Sequence, residues 1–321
     1  MKRIAVMTSG GDAPGMNAAI RAVVRTAISK NIEVFGIRQA YSGLLAGDFE
    51  RLTNREVSGI LQRGGTILQT ARNDEFKTPQ GQRRGLRRLN EQGIEGLVVI
   101  GGDGSLRGAL TLHKLGFPVV GIPGSIDNDI WGTNMSIGVD TALNTILDAL
   151  DRLRDTASSH ERAFLIEVMG RNCGYLALMG GILGGSEVMM LPEKDMELEE
   201  VAAALEDAYL RGKNHAIAVI AEGSKHKIYD VQKYLESHNV GFEVRVTILG
   251  HIQRGGSPTA FDRLLATRMG VRAVELLTEG VCGVMVGLDG REMSGVPLED
   301  VTSKVRSVNP EYFHMAEVLS R

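Results

Sequence analysis

Gly101-Gly102-Asp103-Gly104-Ser105 combines the residue types that handle phosphate and metal. It follows the apolar run Leu97-Val98-Val99-Ile100, which reads as a buried strand, and precedes Leu106 to Leu115, which reads as a helix. A glycine turn there brings backbone N–H groups up to phosphate oxygens, and the helix N-terminus adds partial positive charge. Asp103 puts a carboxylate in the turn, where a nucleotide-bound Mg²⁺ takes a hard oxygen ligand. A second carboxylate loop follows, Gly124-Ser125-Ile126-Asp127-Asn128-Asp129. Asp127 and Asp129 are two apart, so in an extended segment they share a side. Like charges held close raise one pKa, and a nearby metal or arginine lowers it again. A base for a sugar hydroxyl has only to be deprotonated and within hydrogen-bond reach. One loop holding phosphate and metal, with another supplying a base, points to phosphoryl transfer. The bland reading of the second loop is Asx-turn chemistry.

Other constellations fit the same chemistry. Thr8-Ser9-Gly10-Gly11-Asp12-Ala13-Pro14-Gly15-Met16-Asn17 follows the first expected strand and opens the first helix; its glycines permit positive φ or close backbone approach. Arg72, Arg162, Arg171, Arg245 and Arg254 lie just before or after expected strands, and arginine forks suit phosphate and a transferring phosphoryl group. Arg21 and Arg25 share a face of the first helix. Arg154, Arg211, Lys213 and His215 are further candidates for a basic pocket, against the alternative of solvated helix charges. The run Arg83-Arg84-Gly85-Leu86-Arg87-Arg88 reads as a solvated helix face.

The elements that position these groups follow an α/β pattern. Strands are expected at Ile4–Met7, Val34–Ile37, Leu97–Ile100, Val119–Ile122, Phe164–Met169, Ala216–Ala221, Val246–Leu249 and Val284–Gly287. Most are apolar without alternation, as strands covered on both faces are. Helical period appears in Val139–Leu153 and Leu198–Tyr209. Such sheets bind ligands at the C-terminal ends of their strands. A helix starting near Gly138 is expected to cross between two domains, and His251–Pro258 to return, so the domains are discontinuous in sequence.

Composition narrows the class. The chain has 321 residues, 43% hydrophobic and 23% charged, long enough for two domains. A net charge of −3 gives no field that points to nucleic acid or an acidic membrane, and 5% aromatics argue against a base-stacking platform. Cys173 and Cys282 form neither a metal-ligand spacing nor a disulfide framework, so a cytoplasmic location is expected. Met1-Lys2-Arg3-Ile4 enters a strand at once, which is expected to leave no room for a signal peptide.

Taken in order, TSGGDAPGMNA, GGDGS, PGSIDNDI, RDTASSHER, EVMGR, AEG and LGHIQRGGSPTAFDR resemble the bacterial ATP-dependent 6-phosphofructokinase family over nearly the whole chain, weakening after about Gly280. The resemblance implies a homotetrameric, allosterically regulated glycolytic kinase that transfers a phosphoryl group from ATP to the 1-hydroxyl of fructose 6-phosphate. The implied fold has two domains, each a mainly parallel sheet sandwiched by helices. A larger ATP-binding domain would span 1–138 plus 252–303, and a smaller sugar-phosphate domain 139–251 plus 304–321. By position, Asp127 is the implied base, Arg171 stabilises the transferring group with help from Arg72, and Asp103 holds Mg²⁺ with Asp129 nearby. Gly11, Arg72, Asn73 and Gly102, Asp103, Gly104, Ser105 would line the ATP site. Ser125, Met169, Gly170, Glu222, His251 and Arg254 would hold sugar phosphate, with Arg162 and Arg245 reaching the 6-phosphate from a neighbouring subunit.

Gly104 and Gly124 bear on the donor. Pyrophosphate-dependent relatives carry Asp and Lys there, in space the nucleotide would use, so ATP is favoured. Ser125 stands where the family usually has Thr, which keeps the hydroxyl. Arg21, Arg25, Arg154, Gly185, Glu187, Arg211, Lys213 and His215 resemble the family's effector site for ADP and phosphoenolpyruvate. Asn54, Arg55 and Gly59 replace its usual Arg, Tyr and Asp, so ADP activation is expected to weaken more than phosphoenolpyruvate inhibition. Rival readings are a pyrophosphate-dependent enzyme of the same fold, a non-catalytic sugar-phosphate sensor and a nucleotide-binding dehydrogenase. The sensor could lose Asp103 or Asp127, and the dehydrogenase needs a Gly-x-Gly-x-x-Gly turn that the first strand lacks.

Overall fold

The structure, a computed structural model, describes residues 1–319. Its strands are β1 (Arg3–Ser9), β2 (Glu33–Ile37), β3 (Phe49–Leu52), β4 (Gly96–Gly101), β5 (Val119–Pro123), β6 (Arg162–Val168), β7 (Val188–Met190), β8 (Ala216–Ala221), β9 (Glu243–Ile248), β10 (Val284–Asp289) and β11 (Glu292–Pro297). Its α-helices are α1 (Met16–Ser29), α2 (Ala40–Ala46), α3 (Pro79–Glu91), α4 (Asp103–Lys114), α5 (Val139–Ser158), α6 (Tyr175–Gly184), α7 (Leu198–Leu210), α8 (Ile228–His238), α9 (Ala260–Glu279), α10 (Leu298–Ser303) and α11 (Pro310–Leu319). Each expected strand overlaps an observed one; β3, β7 and β11 were not anticipated.

The chain forms two compact units. The first comprises Met1–Ile126, Ile130–Thr141 and Arg254–Arg306. Its sheet runs β11-β10-β5-β4-β1-β2-β3 and is parallel except for β3 on β2 and β11 on β10. β4 and β5 are buried along their whole length because helices cover both faces, so their sequences are apolar without alternation. On one face α1 packs against α9, and Gly270 makes the close approach possible: a Cβ there would lie 2.6 Å from Ala22 Cβ. On the other, Leu44, Leu89, Leu106, Leu112, Met285 and Leu298 belong to one buried cluster.

A buried carboxylate fixes the end of the first unit's middle segment. Asp262 in α9 is fully buried and accepts hydrogen bonds from Gly138 N (2.9 Å), Thr141 N (2.8 Å) and Thr141 Oγ1 (2.6 Å). Thr259 caps α9 by accepting from Asp262 N at 3.2 Å, while its hydroxyl donates to Asp140 Oδ2 at 2.6 Å. Burial pushes the Asp262 carboxyl up, the three donors pull it down, and the net direction is up.

The second unit comprises Asp127–Asp129, Ala142–Gln253 and, at the end of the described chain, 307–319. Its sheet, β7-β8-β6-β9, is parallel throughout. Leu165, Ile220 and Val244 of the sheet pack with Leu205 of α7 and Val231 and Leu235 of α8. Among the described residues no helix is long and apolar enough to cross a membrane.

Candidate active site

In the first unit, strand register brings three loops to one edge. Ser9 at the end of β1 pairs with Gly101 at the end of β4, and Gly101 pairs with Pro123 at the end of β5. Gly10–Gly11, Gly102–Ser105 and Gly124–Ser125 therefore leave three adjacent parallel strands side by side. Glycine is required at 101, where a Cβ would come within 2.3 Å of Ser9 O; a Cβ at Gly11 would come within 2.8 Å of Arg254 Nη1, the flexible end of that side chain. Arg254 thus lies directly over the first loop. Ser125 N donates to Ile137 O at 3.2 Å, and Ser125 Cβ lies 3.8 Å from the Cβ position of Gly102.

Asp103 opens α4, where its charge complements the helix N-terminus. It accepts from Arg107 Nε at 2.9 Å and stays 44% exposed. A single accessible carboxylate beside a glycine turn suits a divalent cation that arrives with phosphates and takes most of its ligands from them and from water. Ser105 is buried, and its carbonyl accepts from Tyr41 Oη at 2.7 Å, which braces the first turn of α4. Arg72 is exposed, and its carbonyl accepts from Ser42 Oγ at 3.4 Å. Asn73 donates to the same hydroxyl at 3.2 Å and accepts from Phe76 N at 2.9 Å, so its side chain is occupied in shaping the turn.

The two donor-reading glycines differ in surroundings. A Cβ at Gly104 meets nothing within 4 Å, so a side chain there would enter open space. A Cβ at Gly124 would meet Met16 Cε at 3.0 Å and Ile100 Cγ2 at 3.5 Å. A side chain at 124 would therefore start against the flexible end of Met16.

In the second unit, Met169–Arg171, Glu222 and Leu249–Gln253 follow β6, β8 and β9, again at one edge. Asp127 is 3% exposed, and its Oδ2 lies 3.4 Å from Arg171 Nε. Arg171 and Gly170 both have positive φ, +52° and +140°. Glu222 Oε1 holds this loop, accepting from Arg171 N at 2.8 Å and Gly170 N at 3.3 Å. Gln253 is fully buried and accepts from Met169 N at 3.2 Å while donating to Gly250 O at 2.9 Å. The sequence reading missed Gln253; its position between His251 and Arg254 was the available signal. His251 is exposed. Asn128 has φ +53°, so the loop is not extended there and the expected sharing of a side by Asp127 and Asp129 does not hold.

Arg162 and Arg245 stand apart from these residues. Arg162 begins β6 and Val168 ends it, about 20 Å away at about 3.3 Å per residue. Both arginines pair with Glu243, Arg162 Nε at 2.7 Å from Oε2 and Arg245 Nη2 on Oε1. Together they hold its carboxyl below the usual carboxylate range, Arg162 more strongly.

Of the basic-pocket residues, five cluster in the second unit. Arg154 Nη1 lies 3.3 Å from His215 Nε2, and Nη2 donates to the carbonyls of Gly184 and Gly185. Lys213 Nζ lies 2.9 Å from Glu187 Oε1, whose other oxygen accepts from Ile217 N at 2.7 Å. Burial lowers the His215 pKa, with Arg154 and Lys213 adding to the effect and Glu187 opposing it. Arg211 instead pairs with Asp207 on its own helix turn at 3.0 Å. Arg21 and Arg25 lie in the first unit on α1, half-buried and exposed respectively.

The phosphofructokinase family pattern matches residues 3–277. The ATP-dependent 6-phosphofructokinase of Thermotoga neapolitana is 53% identical over 321 residues, covering all of both chains. That of Halalkalibacterium halodurans is 52% identical over 320 residues, again covering 100% of each. Among solved structures, phosphofructokinase from Saccharomyces cerevisiae is similar at TM-score 0.90 and 37% identity, over 100% of this chain and 48% of that one.

Proposed function

The chain belongs to the phosphofructokinase family, and from that membership we propose how its residues carry ATP-dependent phosphorylation of fructose 6-phosphate. The observation that carries the reading is the buried Asp127 carboxylate beside the Arg171 guanidinium. Asp127 takes the proton of the sugar 1-hydroxyl as its oxygen attacks the γ-phosphorus. The bond from that phosphorus to the β-phosphate oxygen breaks, and the products are fructose 1,6-bisphosphate and ADP. Arg171 and Arg72 stabilise the charge on the transferring group. Salt-bridging to Arg171 keeps Asp127 near the residue it works with, and the Glu222 contacts fix the Arg171 backbone in its positive-φ turn.

Gly11, Arg72, Asn73 and Gly102 to Ser105 take the nucleotide. Asp103 would hold Mg²⁺, which would neutralise phosphate charge, with Asp129 as a second candidate carboxylate. Ser125, Met169, Gly170, Glu222, His251 and Arg254 take the sugar phosphate. Arg162 and Arg245 serve the 6-phosphate of a neighbouring subunit in a homotetramer, a reading supported by the distance of Arg162 along β6 from Arg171 and by the Glu243 carboxylate that Arg162 and Arg245 share. The Arg154, Glu187, Lys213 and His215 cluster, with Gly185, Arg211, Arg21 and Arg25, binds effector phosphate. Relative to the family, ADP activation is weakened more than phosphoenolpyruvate inhibition, because Asn54, Arg55 and Gly59 alter the nucleoside side. The compartment is the cytoplasm.

A coupled assay with fructose 6-phosphate and Mg²⁺, run with ATP and with pyrophosphate and with each effector, tests this. Turnover with ATP alone is expected. Turnover with pyrophosphate refutes the donor, and none with either refutes the enzyme.

A further inference from the structure

We propose that Asn17 is a positioning residue for phosphoryl transfer, setting Arg72 against the Gly10–Gly11 loop. The inference rests on the roles given above to Arg72 and Gly11. Asn17 lies in the first turn of α1, just after that loop, and is 1% exposed. Its amide is fully used: Nδ2 donates to Arg63 O and Gly64 O, each at 3.1 Å, and Oδ1 accepts from Ile67 N at 2.8 Å.

All three partners lie on the segment 61–72, which has no helix or strand of its own. Backbone groups without a ladder need partners elsewhere; here Gln39 N donates to Leu68 O at 2.8 Å, and side chains supply several of the rest. Thr8 Oγ1 donates to Gln69 O at 3.0 Å, and Thr70 Oγ1 donates to Gly10 O at 2.6 Å. Those ties fix single points; Asn17 fixes three. It is suited to this because one short amide offers two donors and an acceptor in a plane, while aspartate offers no donor and leucine neither. The far side of the segment has no slack, since a Cβ at Gly64 would come within 2.3 Å of Gly256 O. Held between α1 and that backbone, the segment delivers Arg72 at its end and touches Gly10 on the way. Arg72 is exposed, so no packing of its own side chain fixes its start point. A shift of about 1 Å in a positioned group costs on the order of 100-fold in rate.

The test is a double-mutant cycle in the full-length enzyme with Asn17→Ala, Arg72→Ala and the pair, reading kcat, both KM values and Tm. Asn17→Ala is expected to lower kcat/KM for ATP by about 30-fold while KM for fructose 6-phosphate moves less than about 3-fold. In the Arg72→Ala background the same change should cost less than about 3-fold, because the residue it positions is gone. Equal losses in both backgrounds overturn the inference and leave the reading of Arg72 standing. Full turnover by Arg72→Ala overturns that reading and the inference with it. Should Asn17→Ala not fold, Thr70→Val carries the same comparison: a loss that vanishes without Arg72 supports the positioning, and an additive loss overturns it.

Discussion

Replacing Asp127 by serine is expected to separate chemistry from binding. The carboxylate is buried at 3% exposure, so it is held where a base is useful, yet its partner Arg171 has a side chain 58% exposed. An ion pair with one end in water contributes no more than about 1 kcal/mol to folding, so Asp127→Ser should fold with a Tm near that of the parent. Its effect on rate is far larger. A positioned general base is worth about 100- to 10,000-fold, or roughly 2.7 to 5.4 kcal/mol at about 1.36 kcal/mol per decade. Serine cannot hold the proton near neutral pH, and its Oγ falls short of the carboxylate oxygens. We expect kcat to fall by about 1,000-fold in the coupled assay. Calorimetric affinity for fructose 6-phosphate should change less than about 3-fold, because one hydroxyl contact among several is lost. Turnover within about 10-fold of the parent, in a variant with unchanged Tm, would refute the assignment of Asp127 as base.

Three further outcomes follow from the geometry. Gly104→Asp meets open space, so Tm should hold while calorimetric affinity for ATP drops by about 10-fold or more through charge at the phosphates; an unchanged affinity counts against Gly104 as a donor determinant. Asp262→Asn should cost about 1 to 3 kcal/mol in denaturant titrations, since an amide nitrogen faces donors it cannot accept from. Because the folded Asp262 pKa is raised above the ordinary 3.8, the folded protein binds the extra proton between the two values. The wild-type advantage over the variant is therefore fullest near the ordinary value and narrows as pH rises through the raised one; a gap that widens with pH contradicts the sign. At the basic cluster, an anionic effector favours protonated His215, whose folded pKa is depressed mainly by burial. Phosphoenolpyruvate inhibition should strengthen as pH falls through the ordinary histidine value of 6.5 and below, and His215→Ala should flatten that trend in inhibitor titrations.

What the sequence disclosed, and what it hid, divide along physical lines. Central strands announced themselves because burial on both faces demands unbroken apolar runs, as in Leu97–Ile100. The edge strand β11, Glu292–Pro297, has no buried residue and no apolar run, so nothing in its pattern distinguished it from loop. β3 has a single buried residue among four of mixed type, and β7 is apolar but only three residues long. Motif order located the loops with catalytic residue types. It could not show that Asn128 turns the aspartate loop away from an extended course, because a positive φ at asparagine leaves no mark on spacing. Nor could it show that Arg162 and Arg245 share Glu243 across neighbouring strands, which only register reveals. Asn17 and Gln253 stood inside quoted motifs, but an amide's worth lies in which backbone groups it faces.

The hydrogen bonds from Gly138 and Thr141 to Asp262 join residues more than 120 positions apart. During synthesis this has a consequence for the order of events. A nascent chain that has emerged through Gln253 has all four strands of the second sheet but lacks β10, the parallel neighbour of β5, and α9, the partner of α1. The first unit therefore waits, its α1 surface uncovered, until residues 254–306 leave the ribosome, at about 5 to 20 residues per second. In that interval the inserted segment has time to fold, and the exposed flank of α1 is where a chaperone or an aggregation contact would meet the chain.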